Sequence, residues 1–286
     1  MGDIEPRDGM INGFATRDFG GSGRDALLIH GTGHNLAVWT PFAERLYKAF
    51  HLTAFDMRGH GQTSLDSTNP EQYWRDISAV AECLGLRKPL LIGHSTGGYA
   101  VTAHAASGGD CSGIVVIDGF VLDGRKTPED AKAYHLTRQT LWDMFRYGWR
   151  ASRAERDAYI KDVCAAAPSD WLNTGVDPSM VEAFTRRSFF ETDGVCLRRP
   201  TLDEIDVVRV PDPKSDIFPS VDIYDKISVP AGFVLASKGL YGNRRDDLLA
   251  VIRKRTNRYL LDVDCSHNAH LLATDAIAEF ILERLA

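Results

Sequence analysis

A serine flanked two residues away on each side by glycine, in Gly93-His94-Ser95-Thr96-Gly97-Gly98, is where residue types and spacing point most directly to chemistry. The apolar run Pro89 to Ile92 leads into it, and the small-residue helical segment Tyr99 to Ala106 leads out. A strand that turns this tightly into a helix forces the serine into a strained backbone conformation, while the glycines let neighbouring chain pass close. The hydroxyl then projects at the C-terminal edge of a sheet. The helix beginning there offers free N–H groups and a positive dipole end, which favour developing negative charge. Ser95 therefore reads as a nucleophile for carbonyl attack.

His30-Gly31-Thr32-Gly33-His34 ends an earlier apolar run. Its glycines permit the Thr32 N–H to point toward the space above Ser95, where it and the Thr96 N–H would make a two-donor oxyanion hole. The imidazoles of His30 and His34 read as structural or pocket-lining. The third motif is Asp56-Met57-Arg58-Gly59-His60-Gly61-Gln62-Thr63-Ser64.

Taken together, these three motifs resemble the α/β-hydrolase superfamily, whose members often carry a D-x-R-G-x-G-x-S loop in the third place. The resemblance covers nearly the whole chain outside residues 120–228. It implies a structural role for Asp56 and Arg58. It also places the general base in Asp264-Cys265-Ser266-His267-Asn268-Ala269-His270, between the last strand and last helix, with His267 as that base and His270 as a packing residue. Many such proteins carry the triad acid just after the penultimate strand, but Gly239 stands there in Ala236-Ser237-Lys238-Gly239-Leu240-Tyr241. Relatives such as haloalkane dehalogenases and zearalenone-type lactonases place it after the strand following the nucleophile helix. Asp118 occupies that place in Ile114-Val115-Val116-Ile117-Asp118-Gly119 and is the expected acid, ahead of Asp246 and Asp247.

The elements that must position these residues alternate in an α/β pattern, with a parallel sheet covered by helices on both faces. Strands are predicted at Ala26–Ile29, His51–Phe55, Pro89–Ile92, Gly113–Ile117, Ala231–Ala236 and Arg258–Val263. Trp39, Phe42, Ala43, Leu46 and Phe50 share one helical face, as do Trp74, Ile77, Ala81 and Leu84. A last helix is expected to begin near Asp275 as N-cap, with Ile277, Phe280, Ile281 and Leu285 as its stripe. Residues 120–228 break the alternation with helical segments and a Pro-rich piece, Val208 to Pro219. They read as a cap inserted into a core made of residues 1–119 and 229–286. The cap is rich in aromatics, and Gly31, His34, Trp142 and Phe145 are the candidate substrate contacts.

Of the 286 residues, 44% are hydrophobic and 25% charged, with no apolar run near the roughly 18 residues of a membrane helix. A net charge of −6 argues against a nucleic-acid partner. Asp3, Glu5 and Asp8 stand where a signal peptide would be basic and then apolar. The five cysteines are scattered and never in a CxxC pair, which points to reduced thiols in the cytoplasm. The expected protein is a serine hydrolase of an ester or lactone with a bulky apolar or aromatic part, working through an acyl-enzyme without cofactor or metal. Its oligomeric state is open, a homodimer included. The rivals are a perhydrolase or haloperoxidase-like reaction, carbon–carbon bond hydrolysis on the same triad, and a hydrolase-like receptor that binds without turnover.

Overall fold

The computed structural model describes residues 5–132 and 136–286. A hairpin of β1 (Arg7–Ile11) and β2 (Phe14–Gly21) precedes β3 (Arg24–Ile29), and a 3-10 turn over Leu36–Trp39 leads into α1 (Thr40–Leu46). There follow β4 (Phe50–Phe55), α2 (Gln72–Leu84), β5 (Leu90–His94), α3 (Thr96–Ala106) and β6 (Gly113–Ile117). The chain then leaves the sheet through α4 (Pro128–Lys132), α5 (Arg138–Phe145), β7 (Arg150–Ala151), α6 (Arg153–Ala166), α7 (Pro178–Arg187), β8 (Phe189–Thr192), β9 (Val195–Arg198) and α8 (Leu202–Arg209). It returns with β10 (Ala231–Lys238), α9 (Arg245–Ile252), β11 (Arg258–Ser266), α10 (Ala269–Leu272) and α11 (Thr274–Arg284).

Eight strands form one sheet in the order β1-β2-β4-β3-β5-β6-β10-β11, with β1/β2 and β2/β4 antiparallel and the other pairs parallel. The central strands are almost wholly apolar because helices cover both faces. Side chains alternate between those faces. Leu28, Ile92 and Val115 join Trp39, Phe42, Ile277 and Ile281 on one side; Leu27, Leu91 and Val116 join Trp74, Ile77, Val101 and Leu248 on the other.

Several expectations need correction. Phe50 lies on no helical face but opens β4, since the first helix is a 3-10 turn plus seven residues that end at Leu46. Asp275 sits in the first turn of α11, and Ala273 holds the N-cap position. The β1–β2 hairpin lies outside the predicted strands, as does a small sheet in the order β7-β9-β8 within residues expected to be helical. The loop after β4 does act as a structural clamp. Buried Asp56 accepts from the Leu36 N–H (2.7 Å), the Gln62 N–H (2.8 Å) and Arg187 Nε of α7 (3.1 Å), while Arg58 pairs with Asp76 of α2 at 2.9 Å. Among the described residues, no helix is long and apolar enough to cross a membrane.

Candidate active site

Ser95 links β5 to α3 with φ 53 and ψ −120, a conformation that L-residues rarely adopt. Its N–H donates to the Ile117 carbonyl of β6 at 2.9 Å, which fixes the turn against the neighbouring strand. The flanking glycines are required by space: a Cβ on Gly93 would overlap the Gly97 carbonyl, and one on Gly97 would overlap the Ile29 carbonyl. As the first residue of α3, Thr96 has an N–H with no helical carbonyl one turn behind it to bond. The Thr32 and Thr96 hydroxyls are 2.8 Å apart, so the loop after β3 is held against the start of α3. His30 is part of that framework. Its Nδ1 donates to the Gly31 carbonyl at 2.8 Å, and its Nε2 accepts from the Met57 N–H at 3.0 Å.

Asp118 follows β6 next door, again with positive φ (43) and a fully buried side chain. Its Oδ2 accepts from His267 Nδ1 at 2.7 Å and from the Leu240 N–H at 3.0 Å. A carboxylate only accepts, so Nδ1 carries the imidazole proton and Nε2 presents a lone pair. His267 follows β11, and its carbonyl accepts from Nε2 of His94, the residue before Ser95, at 2.9 Å. Ser95, Asp118 and His267 thus all lie just beyond the C-terminal ends of strands. Gly239 leaves room for the Asp118 carboxylate, because a Cβ there would overlap Asp118 Oδ2 and lie 2.9 Å from its Cγ. Asp246 and Asp247 are exposed in the first turn of α9, where Asp247 pairs with Arg244.

A cavity of about 600 Å³ opens above this rim, with Thr32, Ser95 and Thr96 on its wall. Apolar surface comes from Tyr73, Phe120, Leu141, Met144, Trp171 and Tyr241; Arg125, Arg209 and Glu204 supply charge. The expected contacts Trp142 and Phe145 are absent from this wall. Trp142 lies under the Arg146 guanidinium, 5.4 Å away, and Phe145 stacks on Tyr147 at 5.0 Å. One residue along a helix turns the side chain by about 100°, so α5 shows the cavity Leu141 and Met144 instead. Gly31 lies behind Ser95, where a Cβ would come 2.8 Å from the serine Cβ. His34 packs on Phe184 and His94, away from the cavity.

A profile described as the alpha/beta hydrolase family matches residues 26–280, nearly the whole sheet and its coverings. The chain belongs to the alpha/beta hydrolase family. N-formylmaleamate deformylase of Pseudomonas putida is 30% identical over 185 residues, covering 61% of this chain and 66% of the deformylase. Protein phosphatase methylesterase 1 of Bos taurus is 34% identical over 119 residues, covering 36% of this chain and 31% of the methylesterase. The chain therefore spans from about a third to about two thirds of the curated relatives it matches. Among solved structures, E-2-(acetamidomethylene)succinate hydrolase superposes with a TM-score of 0.73 at 20% identity over 99% of both chains. The relatives of this alpha/beta hydrolase are hydrolases, a deformylase and esterases among them.

Two of this alpha/beta hydrolase's buried histidines couple its stability to pH. The rings of His30 and His60 lie 5.2 Å apart, and burial holds both neutral, pushing His60 down to about 4 and His30 well below the usual imidazole range. In the unfolded chain both protonate near about 6.5. The folded values are depressed, so this stability is complete above about pH 6.5 and is lost as pH falls toward about 4. Each group contributes up to about 1.4 kcal/mol per pH unit. Urea unfolding should therefore show the protein less stable at about pH 5 than at about pH 7.5. Equal stability at the two pH values would refute this account.

Proposed function

We propose that this chain hydrolyses a carboxylic ester or lactone, with Ser95 as nucleophile, His267 as general base and Asp118 as the acid that orients it. The observation that carries this reading is the 2.7 Å bond from His267 Nδ1 to Asp118, made at the strand ends beside a serine in a strained turn. Asp118 holds the imidazole with its Nε2 lone pair available, so Nε2 can take the Ser95 proton during attack and return it to the leaving group. The Thr32 and Thr96 N–H groups hold the oxyanion, each such donor being worth about 3 kcal/mol in the transition state. Water then discharges the acyl-enzyme. Residues 120–228 act as a cap, whose Leu141, Met144 and Trp171 favour a substrate with a bulky apolar or aromatic part.

A fluorophosphonate probe tests the nucleophile. Intact-protein mass should rise by one adduct, mapped to Ser95 and absent in Ser95→Ala; folded wild-type protein that stays unlabelled would remove the reading. A second reading, hydrolysis of an amide bond in an anionic substrate, is favoured by Arg125 and Arg209 on the cavity wall and by the similarity to a deformylase. Matched pairs of neutral and carboxylate-bearing esters and formamides separate the two. A kcat/KM about tenfold or more higher for the anionic formamide would favour the second.

A further inference from the structure

Among the described residues, His34, His94 and His270 converge next to Ser95, none of them on the cavity wall, each offering a ring nitrogen within 4.8 Å of the other two. The His94 and His270 rings are 4.0 Å apart, and His34 lies 5.7 Å from each. His94 and His270 are essentially fully buried. His34 Nδ1, His94 Nδ1 and both nitrogens of His270 are buried without a hydrogen-bond partner among the described residues. Leaving such atoms unpaired costs free energy that native proteins seldom bear.

The His94 tautomer is fixed by its neighbour. A backbone carbonyl only accepts, so the 2.9 Å contact to the His267 carbonyl puts the proton on His94 Nε2 and leaves Nδ1 as a lone pair facing the cluster. Metal-bound histidines characteristically donate their other N–H to a carbonyl or carboxylate in this way. We propose that His34, His94 and His270 form a binding site for a divalent transition metal of the zinc class, with the fourth position left to water. Tetrahedral zinc at about 2.0–2.1 Å from each nitrogen needs the three atoms about 3.4 Å apart. The nitrogens must therefore close from as much as 4.8 Å, by up to about 1.4 Å, and His34, the partly exposed member, provides the way in. Because His94 joins this site to both Ser95 and the His267 carbonyl, occupancy displaces the reacting groups and inhibits. That consequence rests on the hydrolase reading; binding does not.

The probe is Zn²⁺ added to the full chain, with bound metal measured by equilibrium dialysis against a chromophoric chelator. One equivalent should bind to wild type and equally to Ser95→Ala. Affinity should fall in His34→Phe and His270→Phe beyond the roughly 10–100-fold that loss of an outer-shell partner costs. Co²⁺ bound to wild type should show the strong visible absorption of a tetrahedral centre. If His270→Phe fails to fold, His34→Phe, at the partly exposed member, carries the test. Absence of binding would overturn the site, as would binding that survives His34→Phe but is lost in His267→Gln, which would put the metal on the triad. Zinc that binds with this pattern but leaves the rate of fluorophosphonate labelling unchanged would overturn the inhibition.

Discussion

Asp118→Asn should lower kcat about 10⁴-fold while the protein stays folded and KM changes little. The wild-type carboxylate accepts from His267 Nδ1 and from the Leu240 N–H through one oxygen. Because one oxygen accepts both bonds, an asparagine carbonyl in its place keeps them only with the amide buried on the unpartnered Oδ1 side; in the flipped rotamer the amide N–H faces Nδ1. That favours the imidazole tautomer protonated on Nε2, which cannot take a proton from Ser95. The variant also loses the charge that stabilises the imidazolium formed during attack. Both losses act on the transition state and not on substrate binding, so they appear in kcat. Asp246→Asn and Asp247→Asn serve as controls and should stay close to wild type, because those side chains are exposed on α9, where Asp247 pairs with Arg244. Near-normal turnover in Asp118→Asn, or a collapse in either control, would remove Asp118 from its proposed role.

The parts of this site legible in the sequence are those whose signal is local. The elbow announces itself because an apolar strand, a serine, glycines at fixed offsets and a small-residue helix are contiguous, and the fold needs each of them within a few ångströms. Asp118 could be read as a strand-end carboxylate, but its choice over Asp246 and Asp247 depends on which strand end lies opposite His267, a long-range fact. Two hairpins lie outside the predicted elements despite their turn residues. Asn12-Gly13 and Asp193-Gly194 both adopt positive φ, at 48 and 86 and at 49 and 76, as two-residue hairpin turns require. The flanking strands hid them: β1 is almost wholly exposed, and β8 and β9 are four residues each, too short for a clear alternation. The cavity wall was illegible for another reason. Leu141 and Trp142 are adjacent and both apolar, and only the roll of α5 against its surroundings decides which of them meets a substrate. The histidine cluster joins residues 34, 94 and 270, which no sequence spacing connects.

Gly239→Ala is the second large effect expected, and it separates steric placement of the acid from its chemistry. The Gly239 backbone lies outside the left-handed region, so alanine is conformationally acceptable there and would by itself stabilise by about 0.4–1 kcal/mol. The obstacle is space. The new methyl would overlap Asp118 Oδ2, the oxygen that holds His267, and would lie 2.9 Å from both Asp118 Cγ and Ala236 Cβ. Since β10 and β6 are paired strands, the carboxylate must yield, and a misplacement of about 1 Å costs on the order of 10²-fold in rate. Gly239→Ala should therefore lose about 10²-fold in kcat with a melting temperature near wild type. The reciprocal exchange follows from the same geometry. Asp118→Gly tolerates the positive φ at 118 and removes the acid, and adding Gly239→Asp returns a carboxylate from the end of β10 into the space just vacated. The double variant should recover at least about tenfold in kcat over Asp118→Gly alone, a gain worth about 1.4 kcal/mol in the transition state. Wild-type kcat in Gly239→Ala would show that the Asp118–His267 contact is not what limits turnover, and the proposed mechanism would lose its acid.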